Sequence, residues 1–316
     1  SSLGHNCYIS VTIKRIVSEQ INHAFRLPVI TVTYSPGKHL RALLDSLPGA
    51  TERPVLVVLA DNGPTAGVPD HAALAGEKVV FYPTGGNLGY GAGMNAGVQA
   101  VGSVPLGGAQ PVPLADDFVL LTNPDVVFHD GAIDELLLCA ARHPNAAAIG
   151  PRIIESDGST YPSARALPSL LDGIGHAIFA DIWPANPWSA RYRQGQDMET
   201  EREAGWLSGS CLLVRREAFA RVGGFDERYF MYFEDTDLGD RFARAGYSNV
   251  YCPKARISHA QGHSTEAESV SATMLRVHHQ SAARYLCDRL PHWYQAPVRA
   301  VLRAGLYLRA KILTRG

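Results

Sequence analysis

The sequence predicts an α/β protein organised around a mostly parallel sheet, and two observations lead to that fold class. Short apolar, β-branched runs alternate along the chain with segments whose apolar or small residues recur at helical spacing. Polar, turn-forming residues end each of the first four runs, as in successive strand–helix units. Because parallel strands end at a common edge of their sheet, these turns are expected to form the ligand site.

The strand–helix units follow residues 1–27, which are rich in Ile, Ser and Asn and which we interpret as an N-terminal extension. The main domain is expected over residues 28–265. Its first strand covers Val29–Thr33 and leads into a helix in which four leucines share one face. Three further strands are predicted over Pro54–Ala60, Val79–Tyr82 and Asp117–Thr122, with helices through Ala100 and over Gly131–Arg142.

The regular alternation fades after Gly150 and returns near Gly205. Residues 151–205 carry scattered Pro, Trp and Tyr with an apolar stretch over Leu167–Trp183, and we interpret them as an inserted acceptor-side region. Regular elements are then expected over Gly205–Val214, Glu217–Val222, Asp226–Ala245 and Ser248–Ile257.

Residues 266–316 are expected to form a helical, membrane-proximal segment. From Arg289 onward every charged residue is basic, and these residues are interleaved with Trp, Tyr, Leu and Ile. A basic amphipathic helix suits an anionic membrane surface, whereas a helix packed on the domain and a homodimer interface are the alternatives. An apolar patch would add to the membrane-facing surface, and it comprises Leu170, Leu171, Ile174, Ile178 and Phe179.

Composition excludes several classes of protein. Hydrophobic residues make up 46% of the chain and charged residues 19%, which indicates a globular protein with a sizeable core. The net charge of -1 gives no overall basic field for nucleic acid. Five scattered cysteines without a C-x-x-C pair argue against a disulfide framework and a structural zinc site. No long apolar run or secretory signal is visible, so we expect a cytoplasmic protein that is peripheral at the membrane.

Polar residues suited to a nucleotide follow the predicted strands. The carboxylate of Asp125, in Asn123-Pro124-Asp125, could hold a divalent cation that bridges a diphosphate, although a capping turn is the simpler interpretation. Asp61 could pair with the edge of a pyrimidine base. Thr33 and Tyr34 add a hydroxyl and an aromatic face.

A glycine-rich turn over Gly86–Asn95 runs into a helix and would let backbone N–H groups approach phosphate or ribose. Gly91, Gly93 and Ala96 also fit the dinucleotide fingerprint G-x-G-x-x-A, so a nicotinamide-dependent oxidoreductase is an alternative. Against it, the motif follows the third strand rather than the first.

Three carboxylates stand close together just ahead of a predicted helix. Asp237 is assigned to helix capping, whereas Glu234 or Asp235 could take a proton from an acceptor hydroxyl, and their spacing does not decide between them. His259 could join Asp125 in a mixed oxygen and nitrogen site for Mg²⁺ or Mn²⁺.

Taken in order, these motifs resemble glycosyltransferase family 2, the inverting enzymes with the GT-A fold, over about residues 28–265. The resemblance implies a Rossmann-like nucleotide-binding sheet with helices on both faces, followed by a C-terminal helical segment. The motifs that carry it are Thr33-Tyr34, Ala60–Gly63, Gly86–Gly89 with Asn95, Asn123–Asp125, Trp206–Ser210, Gly223–Asp226, Phe233–Leu238 and His259.

The resemblance also implies a role for each motif. Asp61 would contact the nucleobase, Asp125 and His259 would hold Mg²⁺ or Mn²⁺, and Asp235, beside Glu234, would be the general base. The family usually has Asp-x-Asp at the metal, but Asn123 replaces the first carboxylate here. Trp206, Ser208 and Gly209 would bind the acceptor. The donor pocket would be lined by Thr33, Tyr34, Asp61, Asn87, Gly89, Asn95, Asn123 and Asp125.

Three segments resemble more narrowly the rhamnosyltransferases of actinobacteria, namely Tyr161–Arg165, Trp183–Trp188 and Trp206–Arg215. This implies dTDP-β-L-rhamnose as donor and GlcNAc-diphospho-polyprenol as acceptor, in synthesis of the linker between peptidoglycan and arabinogalactan. Another donor such as UDP-galactofuranose or GDP-mannose is the main alternative. A non-catalytic sugar-nucleotide binder is a further one.

Overall fold

A ten-stranded mixed sheet lies at the centre of the protein. The computed structural model describes residues 26–63, 69–76, 78–101, 117–167, 197–259 and 272–314. Predictions for residues 1–25 of the N-terminal extension, for the apolar patch at 170–179 and for Trp183–Trp188 therefore lie outside the described residues. The predicted end of the extension at residue 27 is too late, because Leu27 is already the first residue of a strand.

The first half of the sheet consists of four parallel strands in the order β3-β2-β1-β4. Thr33 pairs with Asp61, and Asp61 pairs with Pro83, so the ends of β1, β2 and β3 lie side by side. The elements are β1 (Leu27–Thr33), α1 (His39–Ala50), β2 (Val55–Asp61), a 3₁₀ turn (Asp70–Leu74), β3 (Val79–Pro83), α2 (Tyr90–Val101) and β4 (Phe118–Thr122).

The second half continues the sheet with β11, β6, β12 and β5. Because β11 runs antiparallel to β4, its first residues lie at the same edge as the ends of β1–β4. The strands are β5 (Val126–Phe128), β6 (Ala146–Ile154), β7 (Thr160–Tyr161), β8 (Ala164–Arg165), β9 (Arg202–Ala204), β10 (Trp206–Leu207), β11 (Cys211–Arg215) and β12 (Ser248–His259), and the helices are α3 (Ala132–Arg142), α4 (Arg216–Arg221) and α5 (Glu234–Arg244).

Helices cover both faces of the sheet, as expected. Helices α1 and α3 bury Leu43 and Leu136 in one core cluster, and α2, α4 and α5 bury residues such as Met94 and Phe242 in another. Helix α2 lies close to the sheet because Gly97 has no side chain. A Cβ at this position would be 2.3 Å from Cγ2 of Ile30.

Two C-terminal helices, α6 (Ala272–Asp288) and α7 (Ala296–Leu313), form a third cluster. Tyr229, on the loop before α5, is buried against Tyr285, Leu302 and Leu306 of these helices. None of the helices in the described ranges is long and apolar enough to cross a membrane.

The predicted strands and helices of the first half agree with the structure to within one or two residues, apart from α2, which begins at Tyr90 inside the glycine-rich turn. The main difference is β6, which continues through Gly150, where the alternation was expected to fade. The pair Gly150-Pro151 is typical of the end of a strand, but the strand continues through it. Gly150 instead makes room for Leu207, whose side chain would lie 3.2 Å from a Cβ at this position. The predicted element over Asp226–Ala245 is helical only over Glu234–Arg244.

Candidate active site

The ends of β1 and β2 bring Thr33 and Asp61 together. The hydroxyl Oγ1 of Thr33 donates a hydrogen bond of 2.7 Å to Oδ1 of Asp61, and both side chains are buried. His71, which the sequence analysis did not single out, contacts the same oxygen through Nε2 at 2.8 Å. Tyr34 follows with its ring largely exposed.

The glycine-rich turn packs on these strand ends through hydrogen bonds. Nδ2 of Asn62 donates to the carbonyl of Gly89 at 2.8 Å, and the amide of Gly89 donates to Oδ1 of Asn87 at 3.2 Å. Gly89 has φ of 86°, and a Cβ there would be 2.3 Å from the carbonyl oxygen of Phe230. Glycine is therefore required where this turn meets the loop before α5.

Asn95 has contacts that the sequence did not indicate. Its Oδ1 accepts the amide of Phe225 at 2.9 Å, while its Nδ2 donates to the carbonyl of Phe225 at 2.9 Å and to Oε1 of Glu227 at 3.0 Å. The structure does not bring it into hydrogen-bond contact with Thr33 or Asp61. Its amide instead joins α2 to the Gly223–Asp226 motif.

Asp125 and His259 meet although 134 positions separate them in the chain. Strand β12 pairs with β5, which sets His259 opposite Val126. Nε2 of His259 lies 3.0 Å from Oδ1 of Asp125 and 3.4 Å from Nδ2 of Asn123. Burial alone would raise the pKa of Asp125, but the hydrogen bond and charge of His259 outweigh it and lower that pKa, so Asp125 is a carboxylate.

This donor set fits Mg²⁺ or Mn²⁺. The carboxylate of Asp125 suits either ion, and the imidazole of His259 lies beside it as a second possible ligand. Magnesium sites that take substrate phosphates use one or two carboxylates and leave the other positions to water and substrate. A metal site with few protein ligands is thus compatible with a bound diphosphate.

The acid pair, Glu234 and Asp235, begins α5. Oδ2 of Asp235 accepts the amide of Gly209 at 3.0 Å, and its Oδ1 accepts the amide of Thr236 at 2.7 Å. Burial raises the pKa of Glu234 to about 8, with a further contribution from the neighbouring charge of Asp235. Burial also raises the pKa of Asp235, although its hydrogen bonds oppose the shift. Because the charge of Asp235 contributes to the raised pKa of Glu234, Asp235 is the first of the two to ionise.

Tyr90 is a second residue that the sequence analysis missed. Its hydroxyl donates to the carbonyl of Gly209, and its ring meets that of Phe225 edge-on. Burial, followed by the charges of Glu234 and Asp235, raises its pKa well above the ordinary value, so the hydroxyl remains a donor. The only sequence signal was an aromatic residue inside the glycine-rich motif.

The predicted acceptor residues lie beside the acid pair. The amide of Ser208 donates to the carbonyl of Ser163 at 2.7 Å, and its hydroxyl lies 3.0 Å from that of Ser210. The guanidinium of Arg165 stacks over the ring of Trp206 at 5.6 Å. Gly209 contacts Asp235 directly through its amide.

Most of the predicted site residues thus gather at one edge of the sheet. The edge brings together a buried carboxylate that could accept an N–H from a nucleobase, a carboxylate and an imidazole that could hold a divalent cation, and an acid pair with raised pKa values. A nucleotide-dependent group-transfer enzyme uses groups of these kinds. The chain belongs to glycosyltransferase family 2, because the family model described as "Glycosyltransferase like family 2" matches residues 25–277.

Similar proteins support the family and the fold. The N-acetylglucosaminyl-diphospho-decaprenol L-rhamnosyltransferase of Mycobacterium tuberculosis is 51% identical over 289 residues, covering 92% of this chain and 93% of that protein. Rhamnosyltransferase WbbL of Escherichia coli is 27% identical over 265 residues, covering 83% and 92%.

Among solved structures, GalNAc-T7 with UDP, GalNAc and Mn²⁺ aligns with a TM-score of 0.52 at 15% identity, over 80% of this chain and 48% of that one. This likeness shows the fold alone. The predicted family and GT-A-type fold are confirmed, and these matches give no support to the oxidoreductase alternative.

Removal of the Asp125 carboxylate should weaken metal binding. We expect Asp125→Asn to lower the affinity for Mn²⁺ by at least about tenfold, since even loss of an outer partner of a ligand costs that much. Free Mn²⁺ can be titrated by electron paramagnetic resonance in the presence of dTDP. Asp157→Asn, which changes an exposed turn carboxylate, is the control. Equal Mn²⁺ affinity in both variants would rule out Asp125 as a ligand.

Proposed function

We propose that this enzyme transfers L-rhamnose from dTDP-β-L-rhamnose to the C3 hydroxyl of GlcNAc carried on a polyprenyl diphosphate, with inversion at the anomeric carbon. The observation that carries the proposal is the acid pair at the start of α5, in which Glu234 is buried and Asp235 accepts the amide of Gly209 just before β11. The 51% identity to the Mycobacterium tuberculosis enzyme over nearly the whole of both chains supports the choice of substrates. The similarity to rhamnosyltransferase WbbL supports rhamnose as the transferred sugar.

In this proposal the strand ends bind the donor. Asp61 accepts an N–H from thymine, and Thr33, Tyr34, Asn87 and Gly89 line the pocket around the nucleotide. Asn123 faces the diphosphate, while Asn95 acts through the loop at Phe225. Asp125 and His259 would hold Mg²⁺ or Mn²⁺, which compensates the negative charge that develops on departing dTDP.

Asp235 is proposed as the general base. It removes the proton from the C3 hydroxyl, whose oxygen attacks the anomeric carbon from the face opposite the diphosphate. Two backbone amides fix its carboxylate. Its Oδ1 also accepts the hydroxyl of Thr236 at 3.3 Å, whereas Oδ2 accepts only the amide of Gly209 among the described residues and keeps a lone pair for the acceptor. Its raised pKa suits a base that works near neutral pH. The acceptor sugar then lies against Trp206, Ser208 and Gly209.

The lipid-linked acceptor requires the enzyme to work at a bilayer, and α7 has a surface suited to an anionic one. Val298, Val301, Leu308 and Ile312 are exposed and recur at helical spacing, and we call them the α7 stripe. Trp293 is 85% exposed just before the helix. We propose that this stripe attaches the enzyme peripherally to the inner face of the plasma membrane, with a homodimer contact as the alternative.

Transfer of labelled rhamnose tests the whole proposal. The full chain is incubated with dTDP-rhamnose and a GlcNAc-diphospho-polyprenol analogue, with and without Mg²⁺, and with UDP-galactofuranose or GDP-mannose as competing donors. Metal-dependent product from dTDP-rhamnose alone is expected. Product from another donor would keep the transfer chemistry and reject the proposed donor. Donor binding without any product would favour the non-catalytic binder.

Loss of the base should stop turnover while the protein still binds its donor. We expect Asp235→Asn to lower kcat by about 10² to 10⁴, the usual contribution of general-base catalysis. Asp237→Asn is the matched control, because Asp237 on the same helix pairs with Arg241 at 2.7 Å. Wild-type turnover in Asp235→Asn would exclude Asp235 as the base.

Turnover should rise with pH as Asp235 loses its proton. Burial raises the pKa of Asp235, and the charge of ionised Asp235 helps to raise the pKa of Glu234 to about 8, so Glu234 keeps its proton at neutral pH. Glu234→Gln resembles this protonated state, so it should leave the rising limb of kcat in place. Profiles of kcat against pH measure the position of this limb. A limb that moves to lower pH in Glu234→Gln would show that Glu234 is charged while Asp235 titrates.

Charge placed within the α7 stripe should weaken attachment to vesicles. Val301→Glu is expected to reduce sedimentation with phosphatidylglycerol vesicles by about fivefold or more, because a charge near an anionic surface is worth about 1 kcal/mol and apolar contact is also lost. Ala300→Glu adds the same charge at a neighbouring exposed position outside the stripe. Equal losses in both variants would contradict docking through the stripe.

A further inference from the structure

The carboxylate of Asp61 is held on one side only. Its Oδ1 accepts two hydrogen bonds, from Oγ1 of Thr33 at 2.7 Å and from Nε2 of His71 at 2.8 Å. The two donors also lie 3.2 Å from each other. The side chains of His71 and Asp61 are 10% and 5% exposed, so this contact is shielded from solvent.

His71 is itself fixed in place. It belongs to the 3₁₀ turn that follows β2, and its ring meets the ring of Phe81 on β3 edge-on at 5.8 Å. Because Nε2 faces a carboxylate oxygen, this nitrogen carries the proton and donates. Residues of three neighbouring strands thus fix the orientation of the Asp61 carboxylate on β2. Thr33 on β1 contacts it directly, and Phe81 on β3 contacts it through His71.

The other oxygen, Oδ2, is left for a ligand. No hydrogen bond from the described part of the chain reaches it. A side chain at position 63 would crowd this oxygen, since a Cβ on Gly63 would be only 2.8 Å from Oδ2. The carboxylate therefore presents a single acceptor oxygen in a fixed direction.

We infer that His71 is a positioning residue for the nucleobase and makes the site selective for a base that offers a ring N–H. This rests on the proposed binding of a nucleotide at Asp61. Thymine and uracil offer N3–H to an acceptor, whereas N3 of cytosine carries no proton and would oppose the lone pairs of Oδ2. Without His71, Asp61 loses a buried hydrogen bond to its charged form and can rotate away from the base.

Nucleotide binding alone tests this inference. Calorimetric titration of the full chain with dTDP, UDP, GDP and CDP is expected to give binding of dTDP and little binding of CDP. His71→Ala should weaken dTDP binding about 10- to 100-fold, the range for loss of a hydrogen bond to a charged group. His71→Gln keeps an N–H donor at similar reach and should restore most of the affinity.

His143→Ala is the matched control, because His143 also pairs with a carboxylate, Oε1 of Glu201 at 2.9 Å, in another part of the molecule. Steady-state kinetics give a second readout, in which His71→Ala raises KM for the donor and leaves kcat at saturation unchanged. Unchanged dTDP affinity in His71→Ala, or a fall in kcat alone, would overturn the positioning role. CDP binding as tight as dTDP binding would overturn the selectivity.

The nucleotide titrations test the role of His71 and the identity of the donor separately. If the wild-type chain binds UDP or GDP instead of dTDP, the proposed donor is wrong, and a loss of affinity for that nucleotide in His71→Ala still supports the role of His71. If the wild-type chain binds none of the four nucleotides, both are overturned.

Discussion

The structure depends most on the removal of two adjacent carboxyl groups from water at the start of α5. Glu234 is buried and its Oε2 has no hydrogen-bond partner among the described residues, whereas half-buried Asp235 accepts the amides of Gly209 and Thr236. Because the pKa of Glu234 is raised from 4.5 to about 8, its ionisation in the folded state costs stability as pH rises through that range. Tyr232 and Phe233, just before the pair, both adopt left-handed backbone with φ of 67°. Such strain persists only where the surroundings enforce it.

The surroundings enforce it from two directions. On the donor side, the amide of Tyr90 donates to the carbonyl of Phe230 at 3.0 Å, and the Tyr90 hydroxyl reaches Gly209. On the other side, Ser281 of α6 donates to the carbonyl of Met231 at 2.8 Å, and the rings of Tyr232 and Phe233 meet His278. Helices α6 and α7 are therefore packed against the loop that carries the acid pair, and a membrane contact on α7 would act on the same packed unit.

The sequence predicts the first half of the fold well because its signals are local. Strand patterns, turn residues and helical spacing all occur within a few positions of one another, so β1 to β4 could be located directly. The contact between Asp125 and His259 was suggested by ligand chemistry and by the family resemblance, since no local pattern joins residues so far apart. Asn95, Tyr90 and His71 have roles set by tertiary contacts. A lone histidine in a short turn gives no sign that it will face Asp61 across a strand end.

The proposed metal ligands show how the asparagine at position 123 changes the charge balance of the site. A second carboxylate at position 123 would give a divalent cation two negative charges from the protein, whereas Asn123 contributes a neutral amide whose nitrogen lies near His259. Asp125 alone leaves a divalent ion with a net positive charge, which the diphosphate of a donor can neutralise. His259 already satisfies Asp125 at 3.0 Å, so an ion must also replace that hydrogen bond. Both effects would disfavour the ion by itself and favour the ion together with the diphosphate, so the proposed site would bind a cation with the nucleotide rather than before it.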